Sequence, residues 1–71
     1  MVVIRTVDVL TGREQEVLAH VAMGKSNKEV ARDLVISEAT VENHLTNIYR
    51  KWYVSNRTEA SYYAHRLGLA T

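Results

Sequence analysis

Apolar residues recur at helical spacing between Ser37 and Trp52. Val41, Leu45, Ile48 and Trp52, with His44 among them, share one side of a helix. The other side carries Ala39, Glu42, Asn43, Thr46, Asn47 and Arg50. Ser37 supplies a hydroxyl able to accept from a first-turn amide, so it predicts an N-cap and a long helix over 38–52. The same period occurs three more times. Val17, Leu18, Val21 and Ala22 give the inner face of a helix over 12–23, and Val30, Ala31 and Leu34 that of a short one over 27–34. Ala60, Tyr63, Ala64 and Leu67 fall on one side of a helix over 57–67, and Thr58, Ser61, Tyr62 and His65 on the other.

Local signals bound these helices. Thr11-Gly-Arg-Glu14 and Ser26-Asn-Lys-Glu29 are capping boxes, and Asn56-Arg-Thr-Glu59 is a third start signal. Gly24 and Gly68 suit left-handed helix ends, and Leu69 can pack back behind Gly68. Val35-Ile36 makes a tight link. The pattern therefore predicts an all-α, four-helix bundle with a central helix-turn-helix, its second and third helices joined by a short turn. Residues 1–9 read as a linker or arm, with Leu10 folding onto the first helix of a domain over 10–71.

A chain of 71 residues holds one small domain. Without cysteine it has no disulfide and no thiolate metal site. No apolar run is long enough to span a membrane, and the start Met-Val-Val-Ile-Arg-Thr lacks the pattern of a signal peptide, so a cytoplasmic location is expected. The net charge is only +1, so any nucleic-acid partner requires basic residues gathered on one face.

A helix-turn-helix presents the N-terminal part of its second helix to the major groove, while the first crosses the backbone. On that geometry Lys25, Lys28, Arg32, Arg50, Lys51 and Arg57 are candidate phosphate contacts, with the hydroxyls of Ser37 and Thr40 beside them. Asn43 and Asn47 carry amides able to read adenine edges. A solvated surface explains any one of these cations; it explains their joint placement less well. The three histidines match no catalytic triad and no HExxH spacing. His44 belongs at the core edge, and His20 and His65 on outer faces. No catalytic residue, metal ligand or cofactor is expected. Among the tyrosines Tyr62 stands apart, grouped with Ser61 and His65 on the outer stripe of the last helix, where a homodimer contact fits.

Four segments together carry a specific resemblance. They are Leu10-Thr-Gly-Arg-Glu-Gln-Glu-Val-Leu18, Gly24-Lys-Ser-Asn-Lys-Glu-Val-Ala31, Ile36-Ser-Glu-Ala-Thr-Val-Glu-Asn-His-Leu45 and Asn56-Arg-Thr-Glu-Ala60. They resemble the LuxR/NarL/FixJ-type DNA-binding domain of bacterial transcription regulators, over about residues 9–70. The resemblance implies a four-helix domain without a wing, commonly the C-terminal output of a two-component response regulator. It implies binding to double-stranded DNA as a dimer, often through the last helix, and RNA polymerase as a further partner. Lys28 and Thr40 match positions that commonly touch phosphates, and Glu42, Asn43 and Thr46 match positions that face bases.

Four residues depart from the pattern. Gly12 replaces the usual Pro and Trp52 the usual Leu. Glu42 stands where a cation is common; its carboxylate repels phosphate but can accept from cytosine N4. Tyr53 stands where Gly usually ends the long helix, so either the helix ends differently or that turn is strained. Two other readings fit the helical pattern: a sigma-factor region-4 domain, and a helical protein-interaction module without DNA affinity. The start of a further helix at Asn56 argues against the first, and the near-neutral charge is the best support for the second.

Overall fold

The computed structural model describes residue 3 and residues 5–69. Residues 1, 2 and 4 of the expected arm, and residues 70 and 71 at the end of the expected domain, lie outside the described set. Among the described residues a 3-10 turn at Val7–Val9 leads into four helices and there is no strand. The helices are α1 (Gly12–Ala22), α2 (Asn27–Leu34), α3 (Glu38–Trp52) and α4 (Arg57–Arg66).

Each helix begins where a side chain satisfies amides that have no partner in the helix. Thr11 accepts from the Glu14 amide while Glu14 accepts from the Thr11 amide, and Ser26 and Glu29 repeat the exchange for α2. Ser37 accepts from the Thr40 amide and Asn56 from the Glu59 amide. The last start differs in one respect from a reciprocal box. The Glu59 carboxylate reaches past Asn56 and accepts from the Ser55 amide at 3.0 Å.

The helices end by two routes. Gly24 and Gly68 take left-handed φ values of 90° and 75° after α1 and α4. Val35 and Tyr53 take φ 57° and 54° after α2 and α3, a conformation in which the Cβ crowds the backbone. The long helix therefore does end as a glycine-capped helix would, with the bulk of Tyr53 at the strained position.

α1 packs against α4 and α3, and α2 lies on α3. The core consists of the predicted stripes: Val17, Leu18, Val21 and Ala22 from α1, Val30 and Ala31 from α2, Val41, Leu45, Ile48 and Trp52 from α3, and Ala60 and Ala64 from α4. Leu10 and Val54 close its ends. Two expectations are corrected. Leu67 is 41% exposed, because α4 stops at Arg66 and Gly68 turns the chain. Leu69 packs on the core in its place, its amide donating to the Ala64 carbonyl at 2.9 Å. His20 is half-buried, because Lys25 and Asp33 close over it.

Val35 gives a direct test of the strained turn. Its side chain is 89% exposed, so removing it forfeits almost no packing. Val35→Gly should stabilise the domain by about 1 kcal/mol, the order of the left-handed penalty, and raise the urea midpoint without changing the slope. A Val35→Gly midpoint at or below that of the parent would show that the strain relieved does not exceed the freedom Gly adds to the unfolded chain.

Candidate nucleic-acid interface

α3 is fixed along its length before any ligand arrives. At its start the Ser37 hydroxyl lies 2.9 Å from that of Thr40 and accepts from the Thr40 amide. The turn before it is closed by the Val35 and Ile36 amides, which donate to the Arg32 and Ala31 carbonyls. At its end Lys51 donates to Glu14 Oε1 at 2.7 Å, the same oxygen that accepts from the Thr11 amide. The Trp52 indole is fully buried and donates to the Thr6 carbonyl at 3.1 Å.

With its apolar stripe buried, α3 turns Glu38, Ala39, Glu42, Asn43, Thr46 and Arg50 to solvent, with Asn47 half-buried beside them. The Thr46 hydroxyl donates back to the Glu42 carbonyl at 3.0 Å. The exposed side of α2 adds Lys28 and Arg32. Lys28 and Arg50 form no ion pair or side-chain hydrogen bond with another described residue, and Arg32 only touches Asp33 at 3.5 Å. The predicted base-facing set thus lies along one side of α3, while Lys28, Arg32, Arg50 and Ser37 are exposed and Thr40 is half-buried. Glu38 joins the set without having been anticipated; its spacing of four from Glu42 was the available signal.

The other three predicted phosphate contacts have partners within the chain. Lys25 donates to Asp33 at 2.8 Å and lies 3.0 Å from His20 Nδ1. The hydrogen bond from Lys25 holds the Asp33 carboxyl below its usual range. Arg57 donates to Asn27 Oδ1 at 2.6 Å and to the Lys25 carbonyl, tying the start of α4 to the start of α2. Lys51 is committed to Glu14. Burial raises the Glu14 pKa, but the bonds from Lys51 and the Thr11 amide outweigh it and hold the carboxyl below its usual value.

On α4, Tyr62 is 53% exposed, His65 is exposed and Ser61 is half-buried. The Tyr62 hydroxyl accepts from Arg66 at 2.9 Å. Among the described residues no group of His, Cys, Asp or Glu is placed to hold a metal ion, and no helix is long and apolar enough to cross a membrane.

A short and a long helix joined by a tight turn, the long one presenting small polar side chains and the short one presenting cations, define a helix-turn-helix DNA-binding domain. Residues 8–64 match the model of the family described as bacterial regulatory proteins, luxR family. The chain belongs to this family and is a LuxR-type DNA-binding domain of a transcription regulator. It is 53% identical over 57 residues to the transcriptional regulatory protein LiaR of Bacillus subtilis (strain 168), covering 80% of this chain and 27% of LiaR. It is 49% identical over 61 residues to the transcriptional regulatory protein LnrK of the same organism, covering 86% of this chain and 28% of LnrK. The chain therefore spans under a third of the length of these relatives. A solved structure of the transcription factor GerE superposes with a TM-score of 0.78 at 40% identity, over 89% of this chain and 94% of that one.

The depressed Glu14 pKa fixes a sign. A carboxyl with a lowered folded-state pKa contributes stability above its unfolded value, near 4.5, and loses it as pH falls through the folded value. Glu14→Gln should cost about 2 kcal/mol at pH 7 and progressively less below pH 4.5. Urea midpoints across this range test it; a gap between the two proteins that stays constant to pH 2 would contradict the assignment.

Proposed function

We propose that this chain binds double-stranded DNA sequence-specifically, with the N-terminal part of α3 in the major groove and α2 across its edge. The observation that carries this reading is the exposed side of α3. It holds Glu42, Asn43 and Thr46 at the first turns, on a helix whose start is fixed by the Ser37 cap and whose end is fixed by Lys51. Asn43 and Asn47 are the amide readers, Thr46 offers a methyl and a hydroxyl, and Glu42 accepts from a cytosine amine. Lys28, Arg32 and Arg50, with Ser37 and Thr40, hold the phosphates. Lys25, Lys51 and Arg57 act chiefly as struts, since each has a partner in the chain. Residues 10–71 form the domain and residues 1–9 an arm. Glu42 works against wrong sequences: wherever it meets no donor base, its carboxylate is desolvated and repelled by phosphate.

Two copies pair through α4 when two half-sites stand about one helical turn apart. The exposed Tyr62, beside the smaller Ser61, offers a knob and a hole to a symmetry mate. A patch of this size supports only weak pairing off DNA.

Base reading and phosphate anchoring separate cleanly by mutation. Asn43→Ala should relax the preference at one operator position by about 1 to 3 kcal/mol in a randomised-site selection. Lys28→Ala should weaken specific and nonspecific binding alike and lower the salt slope by about one. An unchanged selection profile removes Asn43 from the reading set, and an unchanged salt slope removes Lys28 from the phosphate set.

Pairing has its own test. Tyr62→Ala should remain folded, bind a single half-site as the parent does, and lose cooperativity on a duplex with two. Full cooperativity in this variant would move the dimer contact to another surface.

A further inference from the structure

Away from the DNA-facing side, an unbroken series of contacts runs from the arm across α4. Arg5 donates from Nε to the Trp52 carbonyl at 2.8 Å and from Nη2 to the Tyr53 carbonyl at 3.4 Å. These oxygens belong to the end of α3, where carbonyls have no partner in the helix and the dipole favours a cation. The same guanidinium lies over the Tyr63 ring, 4.3 Å from its centroid. Tyr63 meets Tyr62 edge to face, with centroids 5.2 Å apart and ring planes at 80°. Arg66 closes the series, 5.7 Å from the Tyr62 centroid and bonded to its hydroxyl.

We propose that Arg5 is a positioning residue for the α4 pairing surface, so that seating of residues 5–7 on the domain sets how well two copies pair on DNA. The inference rests on the α4 pairing reading above. Each member of the series restricts the rotamers of the next. The flat guanidinium fixes the Tyr63 ring, Tyr63 fixes the edge-on packing of Tyr62, and Tyr62 is held outward between Tyr63 and Arg66. An exposed Tyr left to rotate would lose side-chain freedom on pairing; a Tyr already held loses less. Arg5 leaves the α3 carbonyls and the Tyr63 face together, because both contacts use one planar group. Seating of the arm therefore adds a second hold on Tyr62, through Tyr63, to the one that Arg66 supplies.

The seated state has a built-in reporter. Trp52 is the sole tryptophan, and its indole donates to the Thr6 carbonyl, next to Arg5. The test uses the full chain and two duplexes: one half-site selected from a random library with this protein, and the same half-site as an inverted repeat about one turn apart. Arg5→Ala should shift Trp52 emission, reduce cooperativity on the repeat about fivefold, and leave single half-site affinity hardly changed. Arg5→Lys keeps the charge but not the planar fork, and should fall between Arg5→Ala and the parent. If Arg5→Ala proves too unstable to measure, Arg5→Lys decides, and full cooperativity in that variant overturns the proposal. Cooperativity lost in Tyr62→Ala but kept in Arg5→Ala overturns the link alone. Cooperativity kept in both overturns the pairing surface and the link with it. Equal losses on one and two half-sites mean that Arg5 only supports the fold, which also overturns the proposal.

Discussion

The position of α3 depends on one buried carboxylate. Glu14 is 3% exposed, and a charge so placed is costly unless donors surround it. The Thr11 amide and Lys51 supply them, one from the first turn of α1 and the other from the last turn of α3. Apolar packing alone is non-directional, so the stripe of Val41, Leu45 and Ile48 holds α3 against the core without setting its rotation closely. The ion pair does set it, because Lys51 reaches Glu14 only when Trp52 points inward. Trp52 in turn finds the Thr6 carbonyl, and Arg5 covers its own carbonyl. The end of the helix farthest from the turn is thus held through two side chains of its own, Lys51 on Glu14 and Trp52 on Thr6, and the near end by the Ser37 cap.

Most of the fold was legible because it is local. Caps span three residues and apolar stripes repeat every three or four, so the four helices and their buried faces follow from neighbouring positions. Where local rules run out, the reading ran out too. Periodicity carried Leu67 into the core, but a period says nothing about where a helix stops; Gly68 and the Leu69 amide decide that. The capping pattern at Asn56 was right about the start of α4 and could not show that Glu59 would reach one residue further back, to Ser55. The strain at Tyr53 was foreseeable from its identity. Val35, at an equally strained φ, was not singled out, because a two-residue link can close without a left-handed residue.

The candidate site divides along the same line. Residues of α3 that face solvent could be picked out, since their helix has one clear apolar side. The cations could not be sorted in this way. The partners of Lys25, Arg57 and Lys51 lie 8, 30 and 37 residues away, and that of Arg5 lies 47 away. A lysine bound for a phosphate and a lysine already paired look alike in sequence. Only the packing of α1, α2 and α4 around α3 separates them.

That sorting has a consequence for how the domain finds its target. Of nine Lys and Arg residues, seven have a carboxylate, carbonyl, amide or phenol partner in the same chain, Arg32 the most loosely, at 3.5 Å from Asp33. Lys28 and Arg50 have no such partner among the described residues, and two carboxylates, Glu38 and Glu42, are exposed on the same helix as Arg50. On the DNA-binding reading proposed above, few counterions are released when such a surface meets arbitrary duplex, and the expected hold on random sequence is loose. In a genome crowded with wrong sites, the fraction of molecules trapped off target is what dilutes a regulator. On that reading, a domain that pairs most of its cations within the chain leaves discrimination to a few base edges.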